Sequence, residues 1–124
     1  MYRVLFVDDE ESILKITEIL LSSLGIEVIL ANSGKQAIKI LSDEKPEKKI
    51  HIIFLDLTMT EMSGLEVFQW INSNKITIPV ILQTGIADKS ELNQALKLGV
   101  KECLIKPYTK KQLYELIKKH AKLV

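Results

Sequence analysis

The run Ile52-Ile53-Phe54-Leu55-Asp56 is an unbroken apolar stretch that ends in a carboxylate. A continuous run of Ile, Leu and Phe favours a strand buried on both faces, as in a parallel sheet, over a strand with one face toward solvent. In open parallel sheets, ligands bind at the carboxyl ends of the strands. The stretch therefore predicts both the sheet type and a functional position at Asp56.

Four further segments are predicted to be strands, and segments of helical periodicity separate them. The predicted strands are Tyr2–Val7, Glu27–Ala31, Ile50–Leu55, Pro79–Gln83 and Glu102–Ile105. The predicted helices are Ser12–Leu24, Lys35–Ser42, Leu65–Asn74, Lys89–Leu98 and Lys110–Leu123. Side chains suited to capping precede four of the helices (Ser33, Ser63, Asp88 and Thr109), and Gly25 and Gly99 follow two of them. Strands joined by helices imply right-handed crossovers and a three-layer α/β sandwich.

Composition restricts the function classes. The 124 residues suit one domain, 1–124, and carry a formal net charge of only +1, with Arg3 as the sole arginine. Bulk attraction to nucleic acid or to an anionic membrane is not expected, nor is phosphate recognition by an arginine cluster. Cys103 is the only cysteine, which excludes an internal disulfide and a cysteine-based zinc site. Without a signal peptide or a long apolar run, we expect a cytoplasmic protein that does not enter a membrane.

Polar side chains end four of the predicted strands: Asp8-Asp9, Asp56, Thr84 and Lys106. Parallel strands would bring these carboxylates, the hydroxyl and the ammonium to one sheet edge. Capping of the first helix could by itself explain Asp9, but no helix is predicted to start near Asp56. Converging carboxylates need a counter-charge, and Mg²⁺ prefers such oxygen ligands together with phosphate oxygens. The group therefore suits phosphoryl transfer to an aspartate.

The chain resembles the receiver domain of the two-component response-regulator family. The motifs that carry the resemblance extend along the chain: Val7-Asp8-Asp9-Glu10, Leu55-Asp56-Leu57-Thr58-Met59 with Met62 and Gly64, Pro79-Val80-Ile81-Leu82-Gln83-Thr84-Gly85, Gly99, and Lys106-Pro107-Tyr108. The resemblance implies a flavodoxin-like, doubly wound fold. Its five-stranded parallel sheet would have the order 2-1-3-4-5, flanked by five helices.

The family's site residues are carried over position by position. The resemblance makes Asp56 the phosphoacceptor and catalytic nucleophile, Lys106 the lysine that binds the phosphoryl group, and Thr84 the switch hydroxyl. It makes Asp8 and Asp9 the acidic pair for Mg²⁺, for which Mn²⁺ could substitute. Asp9 and Asp56 would be direct ligands, with the Thr58 carbonyl as a third. The peptide bond between Lys106 and Pro107 is expected to be cis.

The implied function is a signalling switch. A sensor histidine kinase or a histidine phosphotransfer protein would donate the phosphoryl group to Asp56. The surface formed by the fourth helix, fifth strand and fifth helix would then change toward an output partner, and it could also form a dimer. No small-molecule turnover, direct nucleic-acid binding or membrane contact is expected of this chain. The sequence leaves open the kinase, the output, and whether the receiver stands alone or begins a larger regulator.

Three positions depart from the family's pattern. Thr60 stands where a proline is usual, and Cys103 replaces the Tyr or Phe whose ring normally follows the switch threonine. Ile86 is apolar at a position that influences attack by water, so we expect a relatively long-lived acyl phosphate. Cys103 is expected to be a small buried hydrophobe.

Other classes are weighed against the switch. A receiver-like interaction module that is never phosphorylated would keep the fold, and Cys103 is its only support. The stretch Asp56-Leu57-Thr58-Met59-Thr60 resembles the nucleophile motif of haloacid-dehalogenase-type hydrolases. In those hydrolases, however, the motif lies on the first strand, and the position of their second aspartate is occupied here by Thr58. A flavin-binding module would want hydroxyl- and glycine-rich donors after the first strand, where Asp8-Asp9-Glu10-Glu11 would repel a phosphate.

Overall fold

A computed structural model describes residues 2–43, 49–85 and 89–121. Strands and helices alternate along the chain. The strands are β1 (Arg3–Val7), β2 (Glu27–Ala31), β3 (Ile52–Asp56), β4 (Val80–Thr84) and β5 (Glu102–Ile105). The helices are α1 (Glu11–Ser22), α2 (Gly34–Ser42), α3 (Gly64–Ser73), α4 (Lys89–Leu98) and α5 (Lys110–His120). The predicted elements are confirmed in type and order.

The sheet is parallel throughout, with the strand order β2-β1-β3-β4-β5. The predicted topology is therefore confirmed. The order reverses direction after β1, so β1 and β3 are neighbours although a strand and two helices separate them in sequence. Their carboxyl ends, at Val7 and Asp56, lie beside each other at the edge where such sheets bind ligands.

Two apolar layers hold the helices on the sheet. Side chains along each strand alternate between them, so Leu5 and Leu82 lie in one layer while Phe6 and Ile81 lie in the other. The first layer packs under α2, α3 and α4, and the second under α1 and α5. We call these the α2–α4 cluster and the α1–α5 cluster. Burial on both faces explains why β3 is apolar at every position before Asp56.

The helix starts follow the predicted signals, but α1 and α5 end earlier than predicted: α1 ends at Ser22 and not at Leu24. Ser33, Ser63 and Thr109 each accept a hydrogen bond from a backbone N–H in the first turn of their helix. The prediction that α5 reaches Leu123 was wrong, since the helix ends at His120 and Ala121 has an extended backbone (φ −75°, ψ 130°). The predicted cap Asp88 lies outside the described residues. Within the described segments, no helix combines the length and apolar character needed to cross a membrane.

Gly64 begins α3 directly against the end of β3. Its N–H donates to the carbonyl oxygen of Leu57 at 2.9 Å, which folds the intervening loop back onto the strand. A Cβ at position 64 would lie 2.8 Å from the Cα of Leu57, and closer still to the carbonyl oxygen of Asp56. Because both neighbours are backbone atoms, they cannot rotate away, and only glycine fits.

We expect Gly64→Ala to lower the free energy of unfolding by roughly 1–3 kcal/mol, because the added methyl group forces the backbone at Asp56 to shift. Denaturant unfolding followed by circular dichroism measures the change. Gly85→Ala is the matched control, since a Cβ at position 85 would meet no atom of the described residues within 4 Å. Equal losses in the two variants would contradict the close-packing explanation.

Candidate functional site

The ends of β1 and β3 bring three carboxylates together. Asp8, Asp9 and Asp56 each offer an oxygen atom, and these atoms all lie within 4.8 Å of one another. Asp8 is fully buried and Asp56 is only 4% exposed. Thr84, the last residue of β4, is also buried, at the same edge of the sheet. The structure thus places at one sheet edge the residues that were predicted from three of the four strand ends.

Lys106 supplies the counter-charge. Its Nζ lies 2.9 Å from Asp8 Oδ2 and 3.4 Å from Asp56 Oδ2, so one ammonium pairs with two carboxylates. The loop that carries it follows β5 and is fastened to β4, because the Lys106 backbone N–H donates to the Thr84 carbonyl oxygen at 2.8 Å. The Lys106–Pro107 peptide bond is cis, as predicted.

Backbone amides bind the remaining carboxylate oxygens. The Glu10 N–H donates to Asp8 Oδ1 at 2.9 Å, and the Thr58 N–H donates to Asp56 Oδ1 at 3.3 Å. The predicted alternative for Asp9, a cap of α1, is not what the structure shows. The capping position is Glu10, whose side chain makes no capping bond. Asp9 instead faces the loop after β3.

Thr60 is the residue that holds Asp9. Its backbone N–H and its hydroxyl both donate to Asp9 Oδ2, at 3.0 and 3.3 Å. A proline, usual at this position in the resembled family, has neither donor. The departure noted in the sequence therefore adds two hydrogen bonds across the site.

Burial and charge shift the pKa values of the central pair. Burial of the Asp56 carboxyl group, helped by the charge of Asp8, raises its pKa from the usual 3.8 to about 6. The charge of Lys106 and the Thr58 N–H act in the opposite direction. For Lys106, burial by itself lowers the pKa, but the hydrogen bond to Asp8 and the charges of Asp56 and Asp8 outweigh it, and the pKa lies above its usual value. The lysine is therefore charged at neutral pH.

The site also contains a contact that the sequence did not reveal. The Tyr108 hydroxyl donates to Gln83 Oε1 at 2.8 Å, which joins the loop after Lys106 to the residue before Thr84. The pairing depends on the register between β4 and the loop after β5. The amide of Gln83, directly after the apolar residues of β4, was the only sequence signal that could have indicated it.

Cys103 is half-buried and packs against the α2–α4 cluster. Burial, and secondarily the charge of Glu102, raises the pKa of its thiol, so the thiol stays protonated and is a poor nucleophile at neutral pH. The predicted apolar packing is present, but the side chain is half-buried and not buried as expected. Ile86, on which the expected lifetime of the acyl phosphate depends, lies outside the described residues.

The donor set fits a hard divalent cation. Among the residues that the structure describes, three carboxylates face one ammonium, so negative charge is in excess. The side-chain atoms that could bind a metal are all carboxylate oxygens. Mg²⁺ is bound in proteins by one or two carboxylates with its remaining positions open to water or phosphate oxygens. Asp8, Asp9 and Asp56 are placed to hold such an ion. The Thr58 carbonyl was predicted as a further ligand. The N–H of the same residue donates to Asp56, so Thr58 lies beside the carboxylate cluster.

Comparison with protein families decides the assignment. The family model described as the response regulator receiver domain matches residues 4–118. The chain belongs to this family. The hydrolase and flavin alternatives are thereby set aside, and the aspartate motif lies on the third strand, as the receiver assignment requires.

Individual relatives agree with the assignment. The receiver is 34% identical over 111 residues to a probable transcriptional regulator, ycf27, of Guillardia theta, covering 90% of this chain and 42% of that protein. A receiver domain from Clostridium thermocellum superposes with a TM-score of 0.88 at 29% identity, covering 97% of this chain and 94% of the other. A CheY-like receiver domain protein from Methanospirillum hungatei JF-1 gives a TM-score of 0.88 at 25% identity, covering 96% and 92%. The chain spans less than half of the length of the curated regulator.

The raised pKa of Asp56 predicts a pH-dependent cost to stability. A carboxyl group whose pKa is higher in the folded state favours folding at low pH, and that contribution is lost as the pH rises through the folded pKa of about 6. Without divalent metal, Asp56→Asn should therefore gain stability relative to the unsubstituted protein between pH 4 and pH 7, on the order of 2 kcal/mol.

Urea unfolding at a series of pH values measures the difference between the two proteins. Asp43→Asn, at an exposed position, controls for the loss of one carboxylate. A difference between Asp56→Asn and the unsubstituted protein that stays constant from pH 4 to pH 7 would show that burial does not perturb Asp56.

Proposed function

We propose that this receiver is a phosphorylation-dependent switch in which Asp56 accepts a phosphoryl group from phosphohistidine. The donor would be a sensor histidine kinase or a histidine phosphotransfer protein. The observation that carries the proposal is the position of Lys106, whose ammonium pairs with both Asp8 and Asp56 beside a three-carboxylate cluster. A charge pair that only stabilised the fold would not need the third carboxylate.

The chemistry assigned to Asp56 is nucleophilic. One carboxylate oxygen attacks phosphorus, the bond from phosphorus to the histidine nitrogen breaks, and that nitrogen leaves with its electron pair and takes up a proton. The product is an acyl phosphate on Asp56. Since its pKa is about 6, Asp56 is mostly ionised at neutral pH and able to attack. A bound Mg²⁺, held by Asp8, Asp9 and Asp56, would neutralise charge on the transferring group.

Lys106 and Thr84 serve the transferred oxygens. Lys106 Nζ already lies 3.4 Å from the Asp56 oxygen, so a short movement would bring it to an oxygen of the new phosphoryl group. Thr84 ends the neighbouring strand β4, and from there its hydroxyl would donate to a second oxygen of the phosphoryl group. Because every group acts on the chain's own aspartate, the proposal includes no turnover of a small molecule.

The output surface is proposed to comprise α4, β5 and α5. It presents apolar side chains to solvent: Ile105 at the end of β5 is 58% exposed, and Leu96 on α4 is 47% exposed. Exposed apolar groups of this kind mark contact surfaces when they adjoin one another. Thr84 is bonded through its carbonyl oxygen to Lys106, the residue after Ile105, so a change at Thr84 has a direct route to this surface. A partner or a second copy would bind there, and one of the named relatives, ycf27 of Guillardia theta, is a probable transcriptional regulator.

Intact mass spectrometry tests the proposal. Incubation with acetyl phosphate and Mg²⁺ should add one phosphoryl group to the protein, and omission of the metal with a chelator should abolish the gain. Asp56→Asn should remain unmodified under the same conditions. If no phosphoryl group is gained from acetyl phosphate or from a phosphorylated kinase, the unphosphorylated interaction module becomes the better reading.

Lys106→Met should separate the two roles of the lysine. Removing the ammonium leaves the carboxylates without a counter-charge, so the Kd for Mg²⁺ at pH 8 should fall several-fold by titration calorimetry. Phosphorylation should nevertheless slow at least tenfold, because the group that contacts the phosphoryl oxygens is lost. Lys110→Met, at an exposed lysine on α5, should change neither quantity. Weaker Mg²⁺ binding by Lys106→Met would contradict the proposed geometry.

A further inference from the structure

Gln83 is a fully buried amide in a strand that is otherwise apolar up to Thr84. Strand alternation places it on the side of Ile81, facing the α1–α5 cluster. Its Oε1 accepts the hydrogen bond from the Tyr108 hydroxyl at 2.8 Å. Its Nε2 is buried and has no hydrogen-bond partner among the residues that the structure describes.

Such an amide is costly for the fold. A buried donor without a partner loses its hydration without replacement, which destabilises the folded state. An apolar side chain of similar size would avoid that cost among its apolar neighbours. Stability alone therefore does not account for glutamine at this position.

The position of Gln83 connects the two central residues of the site. It pairs in register with Asp56, and its carbonyl oxygen accepts from the Leu57 N–H at 2.9 Å. Through its side chain it holds Tyr108, two residues after Lys106. Gln83 is thus bonded to residues that flank both the proposed nucleophile and the lysine that contacts it.

The loop that carries Lys106 has two attachments to β4. One is the backbone bond from the Lys106 N–H to the Thr84 carbonyl oxygen at 2.8 Å. The other is the side-chain bond between Tyr108 and Gln83. Tyr108 also makes a side-chain hydrogen bond with Thr17 of α1, so its hydroxyl lies between the helix and the strand.

We propose that Gln83 is a positioning residue, which acts through Tyr108 to hold the Lys106 ammonium against Asp8 and Asp56. The inference rests on the proposed phosphorylation of Asp56. Cys103 stands where the family usually has an aromatic residue. The bond between Tyr108 and Gln83 attaches a different aromatic side chain to β4, on the opposite face of the sheet from Cys103.

Gln83→Leu separates positioning from stability. Phosphorylation by acetyl phosphate at saturating Mg²⁺ should slow roughly three- to tenfold, the effect of one lost hydrogen bond. The free energy of unfolding should stay the same or increase, because the unpaired buried donor is removed with the amide. The Kd for Mg²⁺ should remain within about twofold, since the Gln83 side chain accepts its hydrogen bond from Tyr108 and not from a group that binds the metal.

Tyr108→Phe and the double variant identify the bond itself. Tyr108→Phe should slow phosphorylation to a similar extent, and the double variant should be no slower than either single one, because the same bond is removed each time. Thr17→Val is the matched control. It removes the other polar contact of Tyr108 but leaves the attachment to β4, so its rate should match that of the unsubstituted protein.

The outcomes separate this inference from the proposed function. An unchanged phosphorylation rate in Gln83→Leu overturns the inference. A slower rate also overturns it if the variant is less stable, or if the double variant is slower than either single variant. Absence of phosphorylation in the unsubstituted protein overturns the proposed function. In that case the Lys106 amide signal in a ¹H–¹⁵N spectrum still tests the attachment: it should shift in Gln83→Leu and not in Thr17→Val, and the reverse pattern refutes it.

Discussion

The ammonium of Lys106, held between the buried carboxylates of Asp8 and Asp56, is the interaction on which the arrangement of the site depends. Two carboxylates cannot be buried side by side without a counter-charge, because their repulsion and desolvation both favour protonation. Lys106 offsets part of this electrostatic cost, and the hydrogen bonds from the backbone amides of Glu10 and Thr58 offset a further part. What remains is a pKa of about 6 for Asp56 and an excess of negative charge that a divalent cation would satisfy.

The fold brings these charges together by topology and not by local sequence. A parallel sheet with the order β2-β1-β3-β4-β5 places the carboxyl ends of β1, β3 and β4 at one edge, although they are distant along the chain. The strands can converge there because their faces are covered by two apolar layers, which leaves only their ends for polar groups. The close approach of Gly64 then brings the loop after β3 back over the site, where Thr60 reaches Asp9.

The sequence predicted the parts of the molecule that depend on patterns along the chain. The apolar runs gave the strands, and side chains such as Ser63 and Thr109 gave the helix starts, since each depends on residues a few positions apart. The resemblance gave the strand order and the roles assigned to Asp56 and Lys106. The contacts from Tyr108 to Gln83 and from Thr60 to Asp9 could not be predicted, because they depend on register and side-chain rotation between distant segments. The end of α5 was also missed, since the apolar spacing continues to Ala121 while the backbone leaves the helix there.

The contact between Gly64 and the end of β3 also has a consequence for how the domain can diversify. The bond from the Gly64 N–H to the Leu57 carbonyl oxygen closes the segment 57–64 into a ring of fixed circumference, with Thr60 at its far side. Substitutions on this ring can alter chemistry at the sheet edge while leaving the strand and helix that bound it in place. An insertion would instead move Thr60 away from Asp9. Evolution of this segment is therefore expected to proceed by exchanging side chains at constant length, unlike an ordinary surface loop, which tolerates changes in length.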